Sequence, residues 1–262
     1  MSKPPEIDST VPHSARIWNY LLGGKDYYPV DQRAGDMVCG IFPGMVELSR
    51  QSRHMLARVV RWLAGEAGVR QFLDVGTGLP VVDNTHEVAQ RVAPESRIVY
   101  VDNDPLVLAY AQALLTSTPE GATDYIQADA RDPEKILAAA ARTLDFSQPV
   151  ALMLMGLLGL VRDYDEARSI VERLVAGLPS GSYLALYDGT DTEPAYVEAL
   201  RRYNAGKGVI PYTARSPQLI ARYFDGLEVL EPGIVPVSRW RPEPLDETPE
   251  VACAGGVGRK NA

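Results

Sequence analysis

The chain has 262 residues, of which 46% are apolar and 23% charged, with a formal net charge of −8. This length suits one large domain or a domain with an extension. The acidic balance disfavours duplex DNA and anionic membrane surfaces as partners, because both select basic proteins. The longest apolar run, Val150 to Val161, falls short of the roughly 20 residues that span a bilayer, and no secretory signal opens the chain. Cys39 and Cys253 hold no metal or redox spacing. A cytoplasmic protein with two free thiols and no metal is expected, and nothing in the sequence speaks to its oligomeric state.

Residues 1–12 are rich in proline and poor in apolar groups, as in a tail or an arm laid on the surface. Ser14 to Leu22 carries apolar residues at helical spacing and stops at Gly23-Gly24. A second helix is predicted from about Asp31 to Cys39. A long one runs from Val46 to Ala67, with Met55, Leu56, Val59, Val60 and Leu63 on one stripe and arginines 50, 53, 58 and 61 between them. Residues 1–68 are thus an N-terminal arm and helical lid. Residues 69–262 are one compact unit built by strand–helix alternation.

The predicted strands are 71–75, 97–101, Tyr125–Gln127, 150–155 and Tyr183–Tyr187. The helices between and after them start near Asn84 or Thr85, at Pro105, at Pro133, at Asp163, and at residues 194 and 216. Leu227–Leu230 and Val251–Gly255 are expected as two late strands, paired antiparallel. Trp240 to Pro249, rich in proline and acids, is expected as an exposed loop. Strand–helix units in series argue for a mostly parallel α/β sheet with helices on both faces.

Asp74-Val75-Gly76-Thr77-Gly78 ends the first strand. Glycine lets the backbone turn sharply and a ligand lie against it, and strand ends of this kind carry nucleotides in open α/β sheets. A dinucleotide fold wants a third glycine that brings a helix N-terminus to the pyrophosphate. Here that position is Val81, after Pro80, and Val82-Asp83-Asn84 delay the helix. Asp102, after the second strand, suits two ribose hydroxyls, with Asn103 as a further contact. Asp129, after the third strand, suits an adenine amino group, with Ala128 and Ala130 beside the ring. The order of glycine turn, ribose acid and adenine acid fits S-adenosylmethionine better than NAD, so an NAD-dependent oxidoreductase is the weaker reading.

The sequence resembles an actinobacterial family of S-adenosylmethionine-dependent methyltransferases formerly catalogued as a domain of unknown function. The resemblance covers nearly the whole chain. It is carried by Pro12 to Asp26, by the glycine turn continuing into Asp83 to Gln90, by Tyr100 to Pro105, by Trp240-Arg241-Pro242 and by Gly256 to Lys260. It implies a class I Rossmann-like methyltransferase fold, with seven strands and the last one antiparallel, and N-terminal helices as a lid. It implies S-adenosylmethionine as cofactor and S-adenosylhomocysteine as product, and it names no acceptor. The family usually has histidines after strands four and five, where this chain has Gly159 and Asp188, and Ser52 stands where asparagine is common.

The expected cofactor residues are Asp74, Gly76, Gly78, Asp102, Asn103, Asp129 and Ala130, with Arg16, Tyr20 and Gly24 in a lid that also includes Gly23 and Lys25. Arg16 would offer a planar fork to the carboxylate of the cofactor's amino-acid tail. The catalytic candidates are Asp188, Asp163, Tyr164 and His86, with Asp191 also on the substrate side. Each has an ordinary structural alternative, such as a helix cap for Asp163. The expected reaction is methyl transfer to a small-molecule acceptor. The alternative is a non-catalytic protein that binds S-adenosylmethionine or S-adenosylhomocysteine.

Overall fold

The β-rich segments alternate core-facing residues with period two on both sides, so the sheet must be covered twice. The computed structural model describes residues 8–245 and 248–261. The parts of the predicted arm and loop that fall on residues 1–7 and 246–247 lie outside these, as does residue 262.

Three helices come first: α1 (Ser14–Leu21), α2 (Pro29–Ile41) and α3 (Met45–Gly65). Then β1 (Gln71–Val75), α4 (Thr85–Val92), β2 (Arg97–Asp102), α5 (Pro105–Leu114), β3 (Ala122–Gln127), α6 (Pro133–Ala140), β4 (Ala151–Met155), α7 (Tyr164–Ala176) and β5 (Tyr183–Gly189) alternate. Helices α8 (Pro194–Asn204) and α9 (Pro217–Ala221) follow, then short strands β6 (Glu228–Val229) and β7 (Val235–Pro236), and finally β8 (Cys253–Arg259). The sheet order is β3-β2-β1-β4-β5-β8-β6, with β7 also paired to β8. Strands β1 to β5 are parallel, and β8 runs antiparallel to β5, β6 and β7.

Phe72, Ile98, Tyr100, Met153 and Tyr187 face one core, shared with Met55, Val59 and Leu63 of α3 and with Tyr196 of α8. Leu73, Val99, Val101, Leu152 and Leu186 face the other, under α6, α7 and α9. Full burial of each such side chain contributes about 1.5–3 kcal/mol, which is why α3 takes its place on the sheet. Beyond β1 the chain proceeds to β2 on one side and returns to β4 on the other. That reversal opens a crevice at the carboxyl ends of the strands.

Four expectations need correction. The sheet has eight strands, since β7 adds a short rung. The late strand runs from Cys253 to Arg259 and not from Val251 to Gly255. Its glycines hid it, and packing explains them: a Cβ on Gly255 would lie 2.2 Å from the Leu186 carbonyl oxygen, and one on Gly256 would lie 2.8 Å from that of Gly233. The third strand begins at Ala122, three residues before the predicted Tyr125. Trp240 does not belong to an exposed loop. It is fully buried, and its carbonyl accepts a 2.9 Å hydrogen bond from Arg58 Nε.

Candidate functional site

The turn after β1 is fastened to the end of β2. Gly76 N donates to the Val101 carbonyl at 2.8 Å, and Gly78 N donates to Asp102 Oδ2 at 3.1 Å. Asp104 N donates to Asp102 Oδ1 at 3.0 Å. Both glycines have positive φ, +79° at Gly76 and +69° at Gly78, a conformation that other residues adopt only with strain. A Cβ on Gly76 would lie 2.7 Å from Leu157 Cδ1, whereas one on Gly78 would point into open space. That open space belongs to a cavity of about 310 Å³.

The cavity crosses the strand ends in sheet order. Asp129 and Ala130 line it beyond β3, Asp102 and Asn103 at the end of β2, Asp74, Gly76 and Gly78 at the end of β1, Met155 and Gly156 at β4, and Tyr187 and Gly189 at β5. Burial pushes the Asp102 carboxyl above the usual range, against the two backbone donors that hold its charged form. Asp74 is also buried, accepts a 2.6 Å hydrogen bond from the Thr85 hydroxyl, and is pushed up to about 6 by burial. Asp129 Oδ1 accepts from Arg131 N at 2.9 Å.

Helix α4 starts late and is closed at its N-terminus. Asn84 and Glu87 form a capping box, with Asn84 N donating to Glu87 Oε2 at 2.8 Å. A carboxylate therefore already stands where a pyrophosphate would need free N–H groups.

The structure does not bring Arg16, Tyr20 or Gly24 to the cavity wall. Arg16 is buried and its Nε donates to Asp31 Oδ2 at 2.8 Å, while Nη2 holds the Val11 carbonyl at 2.6 Å. Asp31 also receives His13 N and Tyr28 N, each at 2.8 Å, so this pair fastens α1 to α2. The Tyr20 hydroxyl donates to Asp36 Oδ1 at 2.5 Å. Gly24 makes room for the Asn19 side chain, which a Cβ would meet at 2.2 Å, and Lys25 is exposed. From this region the cavity is lined by His13, Ser14, Ala15, Ile17, Trp18 and Leu21. His13 Nε2 lies 3.2 Å from Asp104 Oδ2, next to the strand end that carries Asp102.

The four catalytic candidates lie outside the cavity wall. Asp163 caps α7 by accepting from Glu166 N at 2.8 Å. The Tyr164 hydroxyl donates to the Leu219 carbonyl at 2.9 Å. His86 is buried against the Tyr100 hydroxyl, with Nδ1 at 2.8 Å, and burial lowers its pKa, favouring the neutral ring. Asp188 stands directly behind the wall, where Oδ1 accepts from the Tyr212 hydroxyl. Asp191 is exposed.

Arg53 and Tyr212 are among the wall residues that the sequence does not mark as part of a site. Arg53 of α3 enters the cavity beside the glycine turn. Its Nε donates to the Val82 carbonyl at 3.1 Å and its Nη2 to the Asp83 carbonyl at 2.8 Å. In sequence it is one of four arginines between the apolar positions of this helix, and only the fold places it. Tyr212 lies in an irregular stretch between α8 and α9, with no local signal at all.

A family profile described as S-adenosyl methyltransferase matches residues 1–261. The chain belongs to that family. Its cofactor is S-adenosylmethionine. A DUF574-family protein of Streptomyces avermitilis is 47% identical over 97% of this chain and 100% of its own, with a TM-score of 0.92. A candidate methyltransferase of Thermobifida fusca is 43% identical over 99% of this chain and 98% of its own, with a TM-score of 0.89. The N-methyltransferase NodS of Bradyrhizobium japonicum, solved with S-adenosylhomocysteine, shares the fold at 14% identity, covering 82% and 88% of the two chains, with a TM-score of 0.51. No curated protein matches the sequence. The sheet is that of a class I methyltransferase. Among the described residues no helix is long and apolar enough to cross a membrane.

Proposed function

We propose that the chain transfers a methyl group from S-adenosylmethionine to a small-molecule acceptor. The observation that carries this is one cavity lined by Asp129, Asp102 and the Gly76–Gly78 turn on successive strand ends, continuing past β4 and β5 to Tyr196, Tyr203 and Tyr212. In this reading Asp102 accepts from the ribose hydroxyls, and Asp129 with Ala130 meets the adenine. Gly78 lets the ligand lie against backbone. Arg53 replaces Arg16 as the cation for the amino-acid carboxylate, because Arg53 lines the cavity while Arg16 lies off its wall, paired with Asp31.

Bound S-adenosylmethionine would supply a sulfonium-activated, electrophilic methyl group. The chain's own residues then hold the acceptor in line and exclude water. Helix α1 and the preceding arm act as the lid, pinned through His13 to Asp104 and through Arg16 to Asp31. The two free thiols support a cytoplasmic setting.

Incubation with methyl-labelled S-adenosylmethionine and a low-molecular-mass cell extract tests this. Label should enter small molecules, and Asp102→Ala should lower the yield. Label appearing only in protein or nucleic acid would contradict the proposal.

A further inference from the structure

Past Gly156 the cavity changes character. Its walls there are Tyr187, Tyr196, Tyr203 and Tyr212, with Met45 and Trp18 from the N-terminal helices. The ionisable lining residues His13, Arg53, Asp74, Asp102, Asp129 and Arg131 all stand on or beside the ends of β1 to β3. No Lys, Arg, Asp or Glu lines the tyrosine chamber among the described residues. A charged ligand group seated there would be buried without a partner, which costs several kcal/mol.

Tyr212 is held as a fixed part of this chamber. The Asn204 side-chain amide donates to its carbonyl at 2.8 Å and accepts from its N–H at 2.9 Å. Thr213 N donates to the Gly159 carbonyl at 2.8 Å. The ring fills the space in front of Gly159, where a Cβ would lie 2.3 Å from Tyr212 Cζ. The hydroxyl donates to Asp188 Oδ1 and accepts from Gly189 N at 3.0 Å. A phenolic oxygen has two lone pairs, so one acceptor position remains. The charge of Asp188 is answered by Arg215, whose Nη1 lies 3.8 Å from Oδ2, so the wall backs onto no net negative charge that would hold a cation.

We propose that this chamber is the acceptor subsite and that it takes a neutral, flat, largely apolar molecule of the aromatic-alcohol class, whose hydroxyl donates to Tyr212. The proposal rests on reading the other half of the cavity as the S-adenosylmethionine site. Its test is calorimetric titration of the protein saturated with S-adenosylhomocysteine by three probes of one shape: 2-naphthol, 2-naphthoate and protonated 2-naphthylmethylamine. The neutral probe should bind at least about tenfold more tightly than either ion. Tyr212→Phe, which keeps the ring against Gly159, should weaken 2-naphthol by about three- to tenfold, the scale of one hydrogen bond, with S-adenosylhomocysteine affinity unchanged. Equal or tighter binding of either ion, an unchanged 2-naphthol affinity in Tyr212→Phe, or no binding of any probe by protein that binds S-adenosylhomocysteine would each overturn it. Failure to bind S-adenosylhomocysteine would instead remove the reading on which it rests.

Discussion

The two halves of the cavity are built by different rules. The proposed nucleotide half is mostly local in sequence: apart from Arg53 of α3, the residues proposed to touch the cofactor stand at the ends of β1, β2 and β3 or within three positions after them, and parallel pairing sets those ends side by side. The proposed acceptor half is assembled from α1, α3, β5, α8 and the stretch before α9, with no shared motif. A strand end announces itself by an apolar run that stops at Gly or Asp. A tyrosine that becomes a wall only when a helix and a loop meet does not.

The largest effect that would break this contrast is at the glycine turn. Gly76→Val places a β-branched residue at φ +79° with its Cβ against Leu157. Stability should fall by about 2–4 kcal/mol, with S-adenosylhomocysteine binding lost. Denaturant unfolding and calorimetry on the same preparation would show it, and normal affinity would mean that the turn does not form the site. Asp102→Ala should weaken S-adenosylhomocysteine by roughly 1–3 kcal/mol, and Arg53→Met by roughly 1–2 kcal/mol, the scale of charged hydrogen bonds. Equal affinities in wild type and Arg53→Met would return the carboxylate to an unassigned partner.

The acceptor half carries a pH signature. Burial holds Asp188 at about 6 in the folded chain, against an ordinary value of 3.8. The folded state therefore keeps this proton over a range in which the unfolded chain has already released it. Its contribution to stability is complete below pH 3.8 and is lost as pH rises through 6. Between pH 5 and pH 7.5 this is on the order of 1 kcal/mol. Asp74, also at about 6, adds a similar slope of its own. Asp188→Asn should flatten the decline by that amount in denaturant unfolding at the two pH values, and an unchanged slope would show that Asp188 is not held protonated by burial. The smallest effect expected is Tyr20→Phe, which should shift S-adenosylhomocysteine affinity by less than about 0.5 kcal/mol because Tyr20 lies off the cavity wall. A larger loss would restore Tyr20 to the cofactor.

The strands and helices that carry the nucleotide half were legible because period-two and period-3.6 patterns survive in isolation; β1 falls on the residues expected, 71–75. Asp102, Asp129 and the two glycines were legible for the same reason. Arg16 was misleading because a cation looks available until its partner is known, and Asp31, fifteen residues on, is in sequence an ordinary acid at a helix start. Arg53 was hidden among other arginines, Tyr212 in an irregular connection, and β8 behind glycines whose need appears only when β5 lies 2.2 Å from a Cβ. Residues whose role depends on a distant neighbour leave no mark on their own stretch of chain.

The central claim is that the strand-end acids and the glycine turn hold a sulfur nucleoside and not a dinucleotide. Calorimetric titration of the protein with S-adenosylhomocysteine and, separately, with NAD tests it most directly. Saturable one-to-one binding of S-adenosylhomocysteine, weakened by Asp102→Ala, with no heat from NAD, is the predicted result. Binding of NAD in preference to S-adenosylhomocysteine, or of neither, would contradict it.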